Sequence, residues 1–423
     1  MTKTTGTAPG TAANLRVNGE RLWRSILEMA KIGATPKGGV NRLALTDLDR
    51  DSRDLFITWC KAAGLSVSVD AMGSIFARRA GKRPDLAPVV AGSHLDTQPT
   101  GGKFDGAYGV LAALEVVRTM NDLGLETERA IEIVSWTNEE GSRFSPAMIA
   151  SGVFAGAFTL AQAYAIKDAD GRSIGDELAR IGYKGAAKVG KPVHAYFEPH
   201  IEQGPYLEEG GQTIGVVTAA MGQRWHEVTV TGFESHAGPT PMHRRRDALV
   251  GAARMIELVN AIGHEHAPAA HATVGMITVE PASRNVIPGK AWFTVDLRSP
   301  DEAVLAAMAA ALKQGCAGLA ERSHVEVAIK DFWTLPVQPF DPDLIASVRA
   351  AAEHYGYPHR DISSGAGHDA VYMAQACPAA MIFVPCEDGI SHNEAENAKP
   401  EDLTAGCNVL LTCVLGAAGQ IGS

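Results

Sequence analysis

No unbroken run of about eighteen apolar residues occurs in these 423 residues, so no uninterrupted apolar helix long enough to cross a bilayer is expected. Positive charge is also in short supply. Lys and Arg number 38 against 48 Asp and Glu, a formal net charge of −10. That excludes nucleic acid as the expected partner, because binding phosphate needs a basic surface, and it argues against docking on an anionic membrane. Cysteine is sparse: Cys60, Cys316, Cys377, Cys386, Cys407 and Cys413 show no CxxC spacing and read as reduced, mostly buried thiols. Internal repeats and low-complexity tracts are absent. The stretch Met1–Asn14 is rich in Thr, Gly and Ala and lacks the basic start and apolar core of a secretory signal. It reads as a short disordered lead, and the protein is expected in the cytoplasm.

What is present is an ordinary globular composition at a length that favours two domains over one core. Leu22, Ile26, Leu27, Met29 and Ala30 recur at helical spacing over residues 18–32, and residues 47–63 read as a second helix. Short strands are predicted at 66–69, 74–78, 88–93 and 130–136, with an apolar helix at 109–123 between the last two. Alternating strands and helices predict an α/β domain with a largely parallel sheet. Near residue 216 the texture changes. A strand at 225–232, a helix at 248–262, strands at 271–279 and 290–298, a helix at 300–320 and a strand at 325–332 predict a small α+β, ferredoxin-like sandwich. The expected division is therefore 15–216 and 333–423 for the α/β domain, with 217–332 inserted into it.

Fourteen histidines make any lone one uninformative. A histidine beside carboxylates where strands end is different, since ligands collect at the carboxyl ends of open α/β sheets. His94 follows the run PVVAG, and Asp96 lies two residues on, on the same side in extended chain, where its carboxylate can orient the imidazole. Asp105 sits between glycines in GGKFDG. Glu139 and Glu140 follow the strand AIEIVSW; neighbouring side chains in extended chain point apart, so one can hold a metal while the other faces substrate. A solvated acidic turn is the alternative for that pair. His200 lies in EPHIEQG and His392 in SHNE.

Together, HLDT, GGKFDG, TNEEG, EPHIEQG and SHNE, in this order from about residue 18 to 415, resemble the hydantoinase/carbamoylase group of di-metal amidohydrolases, within the superfamily of aminoacylases and carboxypeptidase-like metal hydrolases. The resemblance implies a di-metal peptidase-like catalytic domain with a mixed sheet and an inserted lid that dimerises two chains. It implies two divalent ions per subunit, zinc or else manganese, cobalt or nickel, held by His94, Asp105, Glu140, His200 and His392. His94 and His392 would share one ion, Glu140 and His200 the other, with Asp105 bridging. Glu139 would be the general base. The implied reaction is hydrolysis of the ureido C–N bond of N-carbamoyl-L-amino acids or β-ureidopropionate, giving amino acid, ammonia and carbon dioxide.

Other residues acquire roles by the same resemblance. His236, in FESHAG, would reach the active site of a partner subunit and stabilise the oxyanion. Asn285 and Arg298 look like a clamp for the substrate carboxylate, although spacing alone allows Arg298 a local partner such as Asp301 or Glu302. Gln203 suits a hydrogen bond to the ureido group. His368, in GAGHDA, resembles an active-site histidine, with a capping or turn role as the alternative. The run Arg244–Arg246 reads as a solvated helix start or a dimer contact. Allantoate amidohydrolase is the nearest rival activity; a superfamily peptidase or deacylase and a catalytically dead binding protein are the more distant ones.

Overall fold

The computed structural model describes residues 15–421; the lead Met1–Asn14 lies outside them. The chain forms two compact units. Of the described residues, one comprises 15–218, Phe340–Ile362 and 368–421; the other comprises Ala219–Pro339 and Ser363–Gly367.

In the first unit a mixed sheet runs Ser66–Val69, Ile75–Arg79, Ile131–Trp136, Val89–His94, Ala195–Ile201, Ala379–Val384, Ile214–Ala220. The central strands Ile131–Trp136, Val89–His94, Ala195–Ile201 and Ala379–Val384 are parallel to one another, with antiparallel strands flanking them on both sides. Each is buried along its whole length, as a parallel sheet covered on both faces requires. Parallel strands put their carboxyl ends on one edge, and the segments after His94, Trp136, Ile201 and Val384 all leave from there.

The helices follow their sequence signals closely. Asn18 caps helix Gly19–Met29, whose Leu22, Ile26 and Met29 face inward. Thr46 caps Asp47–Ala62. Helix Ala107–Asp122 is buried on nearly every side, so its apolar content is that of a core helix rather than an amphipathic one.

The second unit pairs its strands entirely antiparallel, in the order His271–Thr273, Lys290–Ser299, Gly222–Thr231, Glu326–Leu335, with Ile277–Glu280 also on Lys290–Ser299. Helices Ala248–Glu265 and Glu302–Arg322 contribute Met255, Val259, Leu305, Met308 and Leu312 to a core shared with Val228, Val230, Phe293 and Val295. This is the ferredoxin-like order. The segment expected as one strand at 271–279 is two strands, broken at residues 274–276 around Gly275. Helix Glu302–Arg322 is, among the described residues, the one helix long and apolar enough by composition to cross a membrane. Its Leu305, Met308, Leu312, Cys316 and Ala320 are buried at spacings of three and four, which makes that apolar content a core stripe.

All six cysteines are unpaired; five are buried and Cys377 is partly so. Burial pushes the thiols of Cys60, Cys377, Cys386 and Cys413 up to about 12, so they stay protonated.

Candidate metal centre and active site

The carboxyl edge of the parallel strands gathers the acidic and imidazole side chains that the motifs single out. His94 ends one strand, His200 lies near the end of another, and Glu139 and Glu140 follow the third. Asp105 stands just before helix Ala107–Asp122, reached through Gly106 at φ +63°. A Cβ on Gly106 would fall 2.3 Å from the His94 ring, so glycine alone lets this backbone lie against the imidazole. Asn138 turns the chain after its strand at φ +57°, a left-handed position that asparagine tolerates, and its Nδ2 donates to Phe144 O at 2.8 Å. That turn places Glu139 Oε2 3.4 Å from His94 Nε2.

Two donor groups share Asp105. His94, Asp105 and His200 bring ligand atoms within 4.8 Å of one another, and so do Asp105, Glu140 and His392. This corrects the expected pairing of His94 with His392 and of His200 with Glu140. Motif order in the sequence carries no distances; the strands of His94 and His200 are direct neighbours in the sheet, and this adjacency pairs the two histidines. His94 Nε2 and His200 Nε2 lie 3.6 and 3.1 Å from Asp105 Oδ1. His392 Nε2 lies 3.4 Å from both Asp105 Oδ2 and Glu140 Oε2.

The hydrogen bonds behind these donors test whether a metal fits. His94 Nδ1 meets the main-chain oxygen of Asp96 at 2.9 Å, and His200 Nδ1 meets Ile201 O at 2.8 Å. A carbonyl accepts only, so both protons sit on Nδ1 and the Nε2 lone pairs point at carboxylate oxygens. His200 Nε2 also accepts from Gly106 N at 3.1 Å. Lone pair facing carboxylate is favourable only with a cation between them. Where no metal is bound that need falls on protons. Burial opposes charge on His94, but Glu139, Asp105 and Asp96 lift its pKa well above the usual value. Burial likewise opposes charge on His392, yet Asp105 and Glu140 raise it to about 9. Burial pushes Glu140 up to about 7, reinforced by Asp105 and opposed by His392. Buried carboxylates outnumber cations here, and a nitrogen and oxygen donor set of this composition suits divalent ions.

Asp96 acts differently from the expectation. Its main-chain oxygen, not its carboxylate, orients His94. The carboxylate instead accepts the backbone N–H groups of Glu139 and Glu140, at 3.3 Å each, fixing the turn that carries both glutamates. Gln98, which no motif singled out, donates from its main chain and from Nε2 to the two oxygens of Glu140, at 3.1 and 2.7 Å. Burial drives the Glu139 carboxyl well above the usual range, opposed by His94 and reinforced by Asp369 and Glu140.

His368 is buried with its ring 4.5 Å from that of His200 and precedes helix Asp369–Ala376. Burial and the neighbouring His200 hold it well below its usual pKa, as a neutral ring. Beneath it, Glu198 accepts from Ser93 Oγ at 2.6 Å and from Ala370 N at 2.7 Å. Gln203 Nε2 donates to Asp105 Oδ2 at 2.9 Å and to Ser391 Oγ at 3.1 Å, while its Oε1 is buried without a protein partner.

His236, Asn285 and Arg298 belong to the second unit. Ser235–His236 pairs with Val286–Ile287, and Ala237 N donates to Asn285 O at 2.9 Å, so the His236 and Asn285 loops lie side by side. His236 is exposed. Its Nδ1 accepts from Gly238 N at 3.0 Å, which leaves the proton on Nε2 as a free donor. Arg298 does pair with a local acid, the alternative that spacing allowed, though with neither Asp301 nor Glu302: Asp301 caps helix Glu302–Arg322 and Glu302 pairs with Arg224. Its fork closes on Asp296 at 2.7 Å, and Nη1 donates to Gly365 O at 2.9 Å. The Arg244–Arg246 run is not a helix start. The helix begins at Ala248 behind Asp247, and Arg245 donates to Ala237 O and Thr240 O at 2.7 and 3.1 Å, bracing the His236 loop.

Comparison with known proteins supplies the context. The family model for peptidase family M20/M25/M40 matches residues 90–416. An N-carbamoyl-L-amino-acid amidohydrolase of Rhizobium meliloti is 53% identical over 97% of this chain and 99% of its own. An allantoate amidohydrolase of Bacillus subtilis is 34% identical over 90% of this chain and 93% of its own. The crystal structure of a hydantoinase/carbamoylase family amidase from Burkholderia vietnamiensis superposes with a TM-score of 0.93 at 60% identity, covering 96% of this chain and 99% of that one.

Proposed function

Because the chain belongs to peptidase family M20/M25/M40, and within it to the hydantoinase/carbamoylase hydrolases, we propose that it hydrolyses N-carbamoyl-L-amino acids to the amino acid, ammonia and carbon dioxide. The observation that carries this reading is the 53% identity to an N-carbamoyl-L-amino-acid amidohydrolase along 97% of the chain, against 34% for the allantoate enzyme. β-Ureidopropionate belongs to the same substrate class.

His94 and His200 would hold one divalent ion and Glu140 and His392 a second, and Asp105 belongs to both donor groups. The donor set would take zinc, or manganese, cobalt or nickel where those prevail. When bound, the ions supply Lewis acidity to the ureido carbonyl and lower the pKa of water toward neutrality. Everything else falls to side chains. Glu139 takes the proton of the attacking water at Oε2 and passes it to the departing nitrogen. Asp96 keeps Glu139 and Glu140 in place through their backbone N–H groups. Gln203 Oε1 accepts from the ureido nitrogen, and His368 offers a neutral ring beside it. Arg298 and Asn285 bind the substrate carboxylate. His236 donates from Nε2 to the oxyanion in the active site of a second copy of the chain, so the working form is a homodimer. The setting is the cytoplasm, with no nucleic acid or membrane partner.

The test is ammonia release by metal-loaded protein, with and without chelator, from N-carbamoyl-L-amino acids, β-ureidopropionate, allantoate and an N-acetyl-L-amino acid. Chelator-sensitive release from the carbamoyl compounds is expected. Release from allantoate alone, or loss of acetate in place of ammonia, would overturn the substrate assignment and leave the metal centre standing.

A further inference from the structure

Asp105 and His392 sit on two loops nearly 290 residues apart in sequence, yet Asp105 Oδ2 and His392 Nε2 are 3.4 Å apart. Neither loop is part of the sheet, so something else must set that distance. The group between them is Glu396, 2% exposed. Its Oε1 accepts the backbone N–H of Phe104 at 2.9 Å and of Asp105 at 3.1 Å. Its Oε2 accepts from Ser391 Oγ at 2.7 Å, and Ser391 immediately precedes His392. The Asp105 loop is pressed hard onto this carboxylate: a Cβ on Gly102 would fall 2.0 Å from Glu396 Oε1.

Donor directions follow from proton counts. A hydroxyl has one proton and a primary amide two. The Ser391 proton goes to Glu396 Oε2 at 2.7 Å rather than to the more distant Asp105 Oδ2 at 3.3 Å, and with either partner Ser391 Oγ is left as an acceptor for Gln203 Nε2 at 3.1 Å. The other amide proton goes to Asp105 Oδ2 at 2.9 Å. Turned over, the amide would set Oε1 against the Asp105 carboxylate, oxygen on anionic oxygen. The chain Gln203 to Ser391 to Glu396 therefore runs one way and leaves Gln203 Oε1 as a buried acceptor with no protein partner.

We propose that Glu396 is a positioning residue that holds Asp105 and His392 in register and, through Ser391, fixes Gln203 with its amide oxygen toward substrate, selecting a group that brings an N–H. A carbamoyl group brings one on its terminal nitrogen. A formyl group in the same place brings only C–H and leaves the buried oxygen unpaired, the kind of mismatch that polar sites reject strongly. This rests on the reading of Asp105 and His392 as metal ligands and of the substrate as a carbamoyl compound.

The experiment compares wild type with Glu396→Ala, Glu396→Gln and Ser391→Ala. Cobalt(II) affinity is read by chelator competition and by the visible absorption spectrum. Substrate preference is read as kcat/KM for an N-carbamoyl-L-amino acid over its N-formyl counterpart. Glu396→Ala is expected to lose about 10–100-fold in cobalt affinity, as loss of a group that supports a ligand does, with an altered spectrum. Glu396→Gln retains an oxygen for both backbone N–H groups and a donor for Ser391 Oγ, and is expected to restore affinity to within about threefold of wild type. Ser391→Ala cuts the tie to His392 but leaves the Asp105 loop held, so it is expected to lose less cobalt affinity than Glu396→Ala and to narrow the carbamoyl preference about tenfold. Wild-type affinity and spectrum in Glu396→Ala, or a Glu396→Gln variant as weak as Glu396→Ala, would overturn the positioning role. An unchanged preference in Ser391→Ala would overturn the part concerning Gln203. Failure of the parent reading looks different, since wild type itself then takes up no cobalt or releases no ammonia, and this proposal falls with it.

Discussion

His94 and His236 are both imidazoles proposed for one reaction, and the protein treats them in opposite ways. His94 is 1% exposed, pinned at Nδ1 by a main-chain carbonyl and crowded by Gly106 so closely that no side chain fits there. His236 is exposed on a loop, with one backbone N–H on its ring and one arginine bracing its neighbours. Asp105, Glu139, Glu140 and His200 follow the first pattern; Asn285, also exposed, follows the second. The buried candidate metal ligands are each anchored by several bonds, as groups that must meet a metal within tenths of an ångström need to be, and His392, exposed on its loop, is the exception among them. Groups that meet substrate, or another subunit, are left accessible with lighter support.

The sharpest way to break this contrast is at a buried member that holds no metal in this reading. Glu139→Gln preserves shape and is expected to keep metal content at the wild-type level while kcat falls about 10³–10⁴-fold; metal analysis beside steady-state rates checks it, and substantial turnover would remove Glu139 as the base. Next comes His236→Ala, expected to cost about 10²–10³ in kcat with no change in metal content. Mixing it with Glu139→Gln chains should recover activity, because one site of each mixed dimer then holds both an intact glutamate and an intact histidine. Verified mixed dimers that stay inactive would mean His236 does not serve a second copy. Arg298→Lys keeps the charge but loses the planar fork; KM is expected to rise about tenfold with kcat nearly unchanged, and a fall in kcat alone would place Arg298 elsewhere in the reaction. The smallest effect belongs to Arg245→Ala. Losing its two bonds to the His236 loop should lower kcat about threefold to tenfold while melting temperature and metal content hold.

The same contrast governs what the sequence revealed. Strands and helices of both units were legible because burial imposes period and run length, and the five motifs were legible because each packs donors into a few residues, three of them at or just after a strand end. Three things were not. The pairing of His94 with His200 depends on strand order, which no motif encodes. The carboxylate of Asp96 serves the Glu139–Glu140 turn from more than forty residues away, and the short spacing to His94 suggested the wrong partner. Glu396 and Glu198 accept backbone N–H groups from remote segments, and a bond to the main chain asks nothing of the residue at its other end, so it leaves no complementary letter to find. Glu396 lies four residues past His392, Glu198 two before His200, and a search for buried carboxylates flanking each histidine would have raised both.

One consequence of the sheet order concerns synthesis rather than catalysis. His94, Asp105 and His200, which form one donor group, are all translated before the second unit begins at Ala219. His392, and with it the other group, emerges only after that unit has been made. The two half-sites are thus born at different times on the ribosome, about 190 residues apart, or roughly 10–40 seconds at bacterial elongation rates. During that interval a nascent chain carries three donors of one ion and a lone Glu140 for the other. An ion held by Asp105, Glu140 and His392 would therefore arrive after one held by His94, Asp105 and His200, and its binding would report that the chain has passed His392.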